Sequence, residues 1–114
     1  MSFKVVRTAE ELTHLAAAFI AENANRDTLI TPTRSELGSD LKNATVFVGV
    51  FPSEKTPQAL AFLNRNQWEF KSFIKSKGHL TVIPNVTFEL DEGERHRQHL
   101  DEISRDIEPP VAPQ

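Results

Sequence analysis

Thr45-Val46-Phe47-Val48-Gly49-Val50-Phe51 is the least ambiguous stretch of this 114-residue chain. Every residue in it except Gly49 is β-branched or aromatic, and such a run suits a pleated strand and crowds a helix. Just before it, Gly38-Ser39-Asp40 supplies turn chemistry. Further back, the run from Leu29 to Leu37 reads as another strand. Its Pro32 cannot donate to a ladder, which places that strand at an edge or an irregular position. Two strands joined by so short a turn predict a hairpin.

On the other side, Pro52-Ser53-Glu54-Lys55 reads as a loop, and Thr56-Pro57 opens a helix, with proline in the first turn, where its missing N–H costs nothing. Ala59, Leu63, Phe70 and Ile74 form a core-facing stripe that runs to about Lys77, where Gly78 ends it. The polar run Asn64-Arg65-Asn66-Gln67 interrupts the stripe. Either the helix kinks there, or Asn66 packs where two backbones run close. A third strand is expected from Leu80 to Leu90, with Pro84 as an irregularity. At the other end of the chain, Thr8-Ala9-Glu10-Glu11 has the form of a capping box. Leu12, Leu15, Ala16, Phe19 and Ile20 then recur at helical spacing, and this first helix should fade at the polar stretch Asn23 to Asp27. Gly93 onward predicts a charged helix in which Leu100, Ile103 and Ile107 contact the body. The proline-rich end at 108–114 is expected to be disordered. The order helix, strand, strand, helix, strand gives an α+β two-layer sandwich, with helices packed on a three-stranded sheet, as a single domain over residues 1–107.

Composition narrows the function classes. The chain is 39% hydrophobic and 25% charged, as ordinary globular domains are. It contains no cysteine, which removes disulfides, thiolate metal sites and cysteine nucleophiles. No apolar run approaches the roughly 20 residues of a membrane span, and the start has no long apolar core of the secretory kind. The expectation is a cytoplasmic protein with no membrane association. The net charge of −3 conceals a gradient. Residues 26–80 hold eight Lys/Arg against five Asp/Glu, whereas residues 81–114 hold three Arg against eight Asp/Glu. A polyanion docking on one face responds to the local field rather than to the total.

Arg65, Trp68, Lys71, Ser72 and Lys75 fall at helical spacings of three and four, on a different face from the apolar stripe. The cations there can neutralise phosphates, and Trp68 can stack on an unpaired base or a ribose. Lys77 and His79 extend the patch, while Arg34 and Lys42 are further candidate phosphate contacts. The bland alternative is a solvated helix face with Trp68 tucked onto a neighbouring element. His96 and His99, at i and i+3, lack a third ligand and are flanked by arginines, so no metal site is expected. His14 is expected to cap or line the sheet edge. Ser35, Ser39 and Ser72 have no nucleophile-elbow context, and Asp40 and Glu36 flank a turn, where carboxylates usually bond backbone N–H groups. No phosphate-binding glycine loop is present, and neither an enzyme activity nor a cofactor is expected.

The predicted element order is that of type II KH domains, and three local segments resemble ribosome-binding factor A. Ser39-Asp40-Leu41-Lys42-Asn43-Ala44-Thr45-Val46-Phe47-Val48 is similar to that family's Ser-x-Asp-Leu-x-x-Ala-x-Val-Tyr-Val segment. Phe70-Lys71-Ser72-Phe73-Ile74 resembles its Ile-Arg-Ser-hydrophobic run. Leu80-Thr81-Val82-Ile83-Pro84-Asn85-Val86-Thr87-Phe88 resembles its Leu-Arg-x-x-Pro-Glu-Leu-x-Phe strand, and Asp91 matches the acid that follows. The resemblance implies a monomeric, non-catalytic factor that binds the small (30S) ribosomal subunit and assists late maturation of its 16S rRNA, with a link to growth in the cold. Ribosomal proteins or an assembly GTPase are further partners of that kind. The family's Ala-x-Gly kink falls on Asn66, Gln67 and Trp68. It is absent here, displaced, or stabilised by the Asn66 side chain. The Gly-x-x-Gly loop with which ordinary KH domains clamp a single strand has no counterpart among Gly38, Gly49, Gly78 and Gly93. Docking on folded RNA by shape and charge is therefore expected. The other reading is a KH-like protein-interaction module whose acidic C-terminal helix contacts a basic ribosomal protein.

Overall fold

The computed structural model describes residues 3–23 and 27–93. The expected C-terminal helix and tail, with His96 and His99, lie outside the described residues. Six principal elements follow in order: α1 (Phe3–Asn23), β1 (Leu29–Leu37), β2 (Asn43–Phe51), α2 (Thr56–Arg65), α3 (Gln67–Lys77) and β3 (Asn85–Leu90). A 3-10 turn at Ser53–Lys55 precedes α2. Among the described residues, no helix is long and apolar enough to cross a membrane.

The central strand is β2, antiparallel to β1 and parallel to β3. Ala44, Val46, Val48 and Val50 alternate to one face and are buried with Ile30, Val86 and Phe88. On this face lie Leu12, Ala16, Phe19 and Ile20 of α1, Ala59 and Leu63 of α2, and Phe70 and Ile74 of α3. The arrangement is the α+β sandwich that the element order predicts. Pro32 does lie in an edge strand, and the register slips between Pro32 and Arg34. Within the slip, the Thr33 hydroxyl donates to the Phe47 carbonyl (3.2 Å) and also bonds the Asp91 carboxylate.

Two sequence expectations are corrected. The helix α1 begins at Phe3, so Thr8 lies inside it and caps nothing. Glu11, assigned to the capping box, instead accepts the His79 backbone N–H through Oε2 (2.7 Å), tying α1 to the chain that leaves α3. Of the two alternatives for the polar run, the structure shows the kink: the second helix is divided at Asn66. The expected third strand loses its first five residues. Pairing starts only at Asn85, because buried Pro84 offers no donor, and the Asn85 N–H opens the ladder by bonding the Lys42 carbonyl (2.9 Å).

Gly78 ends α3 with an extended backbone (φ −96°, ψ 174°), so close approach rather than a left-handed turn requires it. A Cβ there would lie 2.8 Å from Leu15 Cδ1 and 3.0 Å from the Ile74 carbonyl oxygen. Gly78→Ala should therefore turn the Leu15 side chain aside and crowd the Ile74 carbonyl, at a cost of about 1 kcal/mol of stability. Urea unfolding of the variant measures this, and an unchanged midpoint would contradict the close approach.

Candidate nucleic-acid interface

The junction of α2 and α3 fixes how the candidate surface is presented. Asn66 leaves the helical region (φ −103°, ψ 24°), yet its N–H still reaches the carbonyls of Phe62 (3.2 Å) and Leu63 (3.1 Å). Its side-chain Nδ2 donates to the Phe62 carbonyl (2.8 Å), and its own carbonyl accepts the Phe70 N–H (3.0 Å). The Phe62 carbonyl thus accepts from both the backbone N–H and the side-chain amide of Asn66, which pins the break from two sides. Gln67 and Trp68 already belong to α3, so the backbone departs from helix at Asn66 alone. Leu63 and Phe70, two helical turns apart, both remain buried across the break.

From this elbow α3 carries Trp68, Lys71, Ser72 and Lys75 away from its buried Phe70 and Ile74, whereas Lys77, in the last turn, follows the buried side. Trp68 is 73% exposed, so it is not tucked onto a neighbouring element. Ser72, Lys75 and Lys77 are also exposed. The Lys71 Nζ donates to Asn85 Oδ1 (2.9 Å), and the Asn85 backbone N–H bonds the Lys42 carbonyl. Asn85 therefore brings the β1–β2 turn, with Lys42, beside Lys71. In that turn Asp40 Oδ1 accepts the Lys42 N–H (2.9 Å), and Leu41 adopts a positive φ of 62°.

The remaining candidates are dispersed. Arg65 ends α2 and lines a groove of about 280 Å³ with Asn23, Gln58 and Phe62. The face that spacing alone would draw from Arg65 to Lys75 is thus divided by the break. Arg34 lies on the opposite face of the sheet from the helices. Its guanidinium sits 3.9 Å from the Phe47 ring centroid, pairs with Glu36, and has its Nε 3.9 Å from the Asp91 carboxylate. These partners compete with any phosphate, and Arg34 stands apart from the lysines of α3. His79 lines a separate groove of about 500 Å³ with Lys4, Arg7 and His14 of α1 and Leu41 of the turn. His14 also lies near Thr33 and Ser35 of the edge strand, as expected. The Ser35 hydroxyl is 2.7 Å from that of Thr13, a structural contact.

Sequence reading missed Asn85 and Asn64. Asn85 stood among strand residues with no sign that Lys71 would reach it. Asn64 belonged to the noted polar run, where nothing distinguished it from its neighbours. Its Nδ2 donates to the Phe88 carbonyl (3.1 Å) and its Oδ1 accepts the Phe88 N–H (3.0 Å).

The family model for Ribosome-binding factor A matches residues 4–104. The chain belongs to the ribosome-binding factor A family. A ribosome-binding factor A from Thermomicrobium roseum is 30% identical over 110 residues, covering 94% of this chain and 85% of that one. The crystal structure of ribosome-binding factor A from Thermus thermophilus has the same fold, with a TM-score of 0.63 at 21% identity, covering 74% of this chain and 92% of that one. A homology model of the Thermus thermophilus ribosome-binding factor A, fitted into a cryo-EM map of a 30S complex, is similar with a TM-score of 0.62 at 20% identity. It covers 74% of this chain and 91% of that one.

Proposed function

We propose that this chain binds the small ribosomal subunit in the cytoplasm and assists late maturation of 16S rRNA without catalysis. It holds an immature region of that RNA by occupancy until maturation proceeds. Family membership and the likeness to a factor fitted into a 30S complex support the class of partner. The observation that carries the docking mode is Trp68, 73% exposed on the helix that also carries Lys71, Lys75 and Lys77. A lone exposed tryptophan among cations suits a stacking contact flanked by phosphates. The cations supply a salt-dependent attraction, and the ring supplies a contact largely indifferent to salt.

Co-sedimentation with purified 30S subunits across a salt series tests this reading. Binding should be specific to that subunit and weaken steeply as salt rises. A folded chain that does not bind at low salt would refute it. In the same series Trp68→Ala should lower affinity about tenfold, the value of one stacked base, with the salt slope unchanged. Its thermal midpoint should stay close to wild type, because the side chain is mostly in solvent.

A further inference from the structure

We infer that Asn64 is a positioning residue for the proposed RNA contact, which holds the α2–α3 elbow on the sheet so that Lys71 is free to leave its resting partner. The inference rests on the docking mode proposed above. Among the described residues, β3 pairs with β2 on one side and with no strand on the other. On its other edge, both backbone groups of Phe88 are taken by the Asn64 amide, at 3.0 and 3.1 Å, as a neighbouring strand would take them. Gln67, the first residue of α3, donates from Nε2 to Asn64 Oδ1 (2.8 Å). A single amide thus joins the end of α2, the start of α3 and the centre of β3.

A polar bond from α3 itself to this strand is that of Lys71 to Asn85, three residues before Phe88. Unlike the Asn64 bonds, which are partly buried, this one is exposed. Lys71 has three N–H donors, but a lysine that swings out to a phosphate beyond reach of Asn85 gives that bond up. With Asn64 in place, the elbow stays fastened at Phe88 when that happens, and Lys75 and Lys77 keep their direction. Without it, once Lys71 turned away from Asn85, the Phe70–Phe88 ring contact would hold α3 to β3 with no polar bond to fix its direction. The polar run that interrupts the helical stripe thereby gains a function: Asn66 shapes the break, while Asn64 sets where the broken helix points.

Asn64→Ala and Gln67→Ala, compared with wild type in 30S binding across a salt series, test this. Loss of folded population lowers apparent affinity equally at every salt concentration. Loss of positioning removes phosphate contacts and flattens the slope of log affinity against log salt. Asn64→Ala should bind at least fivefold more weakly, with a slope shallower by about one phosphate contact. Gln67→Ala, which keeps both bonds to Phe88, should shift both quantities in the same direction by less, and it decides the matter if Asn64→Ala does not fold. Wild-type binding with an unchanged slope in both variants would overturn the inference. Absence of wild-type binding would overturn the docking reading and this inference with it.

Discussion

Phe70→Ala should destabilise the fold by about 3–5 kcal/mol, the cost of truncating a fully buried phenylalanine. Phe70 has no exposed surface, and its ring centroid lies 5.1 Å from Phe19 on α1 and 5.5 Å from Phe88 on β3. It is the side chain through which three elements meet. With a total stability of roughly 5–15 kcal/mol for a domain of this kind, such a loss leaves the folded state marginal. In urea the midpoint should fall by about 2 M, taking a slope of about 2 kcal/mol per molar. A shift corresponding to less than about 1 kcal/mol would mean that this aromatic cluster is not the centre of the core. Phe73 stands 5.4 Å from Phe19 but is only partly buried, so Phe73→Ala should cost less and serves as an internal comparison.

Lys71→Glu combined with Lys75→Glu should abolish 30S binding while leaving the fold intact. Lys75 is exposed, and Lys71 makes one exposed hydrogen bond to Asn85, so the cost to stability is expected below about 1 kcal/mol. Replacing two cations by two anions on a surface facing phosphates removes two counterion-releasing contacts and adds repulsion. At about 0.1 M salt the affinity should fall on the order of a hundredfold or more. The check is co-sedimentation beside a circular-dichroism melt of the same preparation. Retained binding by a folded double variant would remove α3 as the docking surface, whatever the fate of the family reading. Trp68→Ala and this variant are complementary. The first should change affinity without changing the salt slope, and the second should change both.

The strands and helices were legible where a period of two or of 3.6 was backed by burial on one side. The run Thr45 to Phe51 needed a sheet on sterics alone, and the missing donor of Pro32 was enough to mark an edge strand. Local signals misled where a distant partner intervened. Glu11 satisfies the capping-box pattern, but its carboxylate is used by His79, 68 residues away, and the helix starts five residues earlier. Leu80 to Ile83 looked like strand because they are largely apolar and β-branched, yet Pro84 denies the ladder a donor.

The candidate site divides in the same way. The residue types and spacing on α3 were visible in the sequence, because Phe70 and Ile74 fix which side of that helix faces inward and hence where Trp68, Lys71 and Lys75 are presented. The sequence by itself also determined the α+β order and the family, since both reside in local patterns read in series. Only the tertiary structure decided that Arg34 belongs to an ion-paired cluster on the opposite sheet face, and that Arg65 and His79 line grooves apart from the lysines. It also decided that Asn64, rather than its equally polar neighbours, closes the edge of β3. Burial periodicity is a property of one helix or strand, whereas the partner of a polar side chain depends on which residues the packed elements bring within about 3 Å of it, and that distance is set by the whole fold.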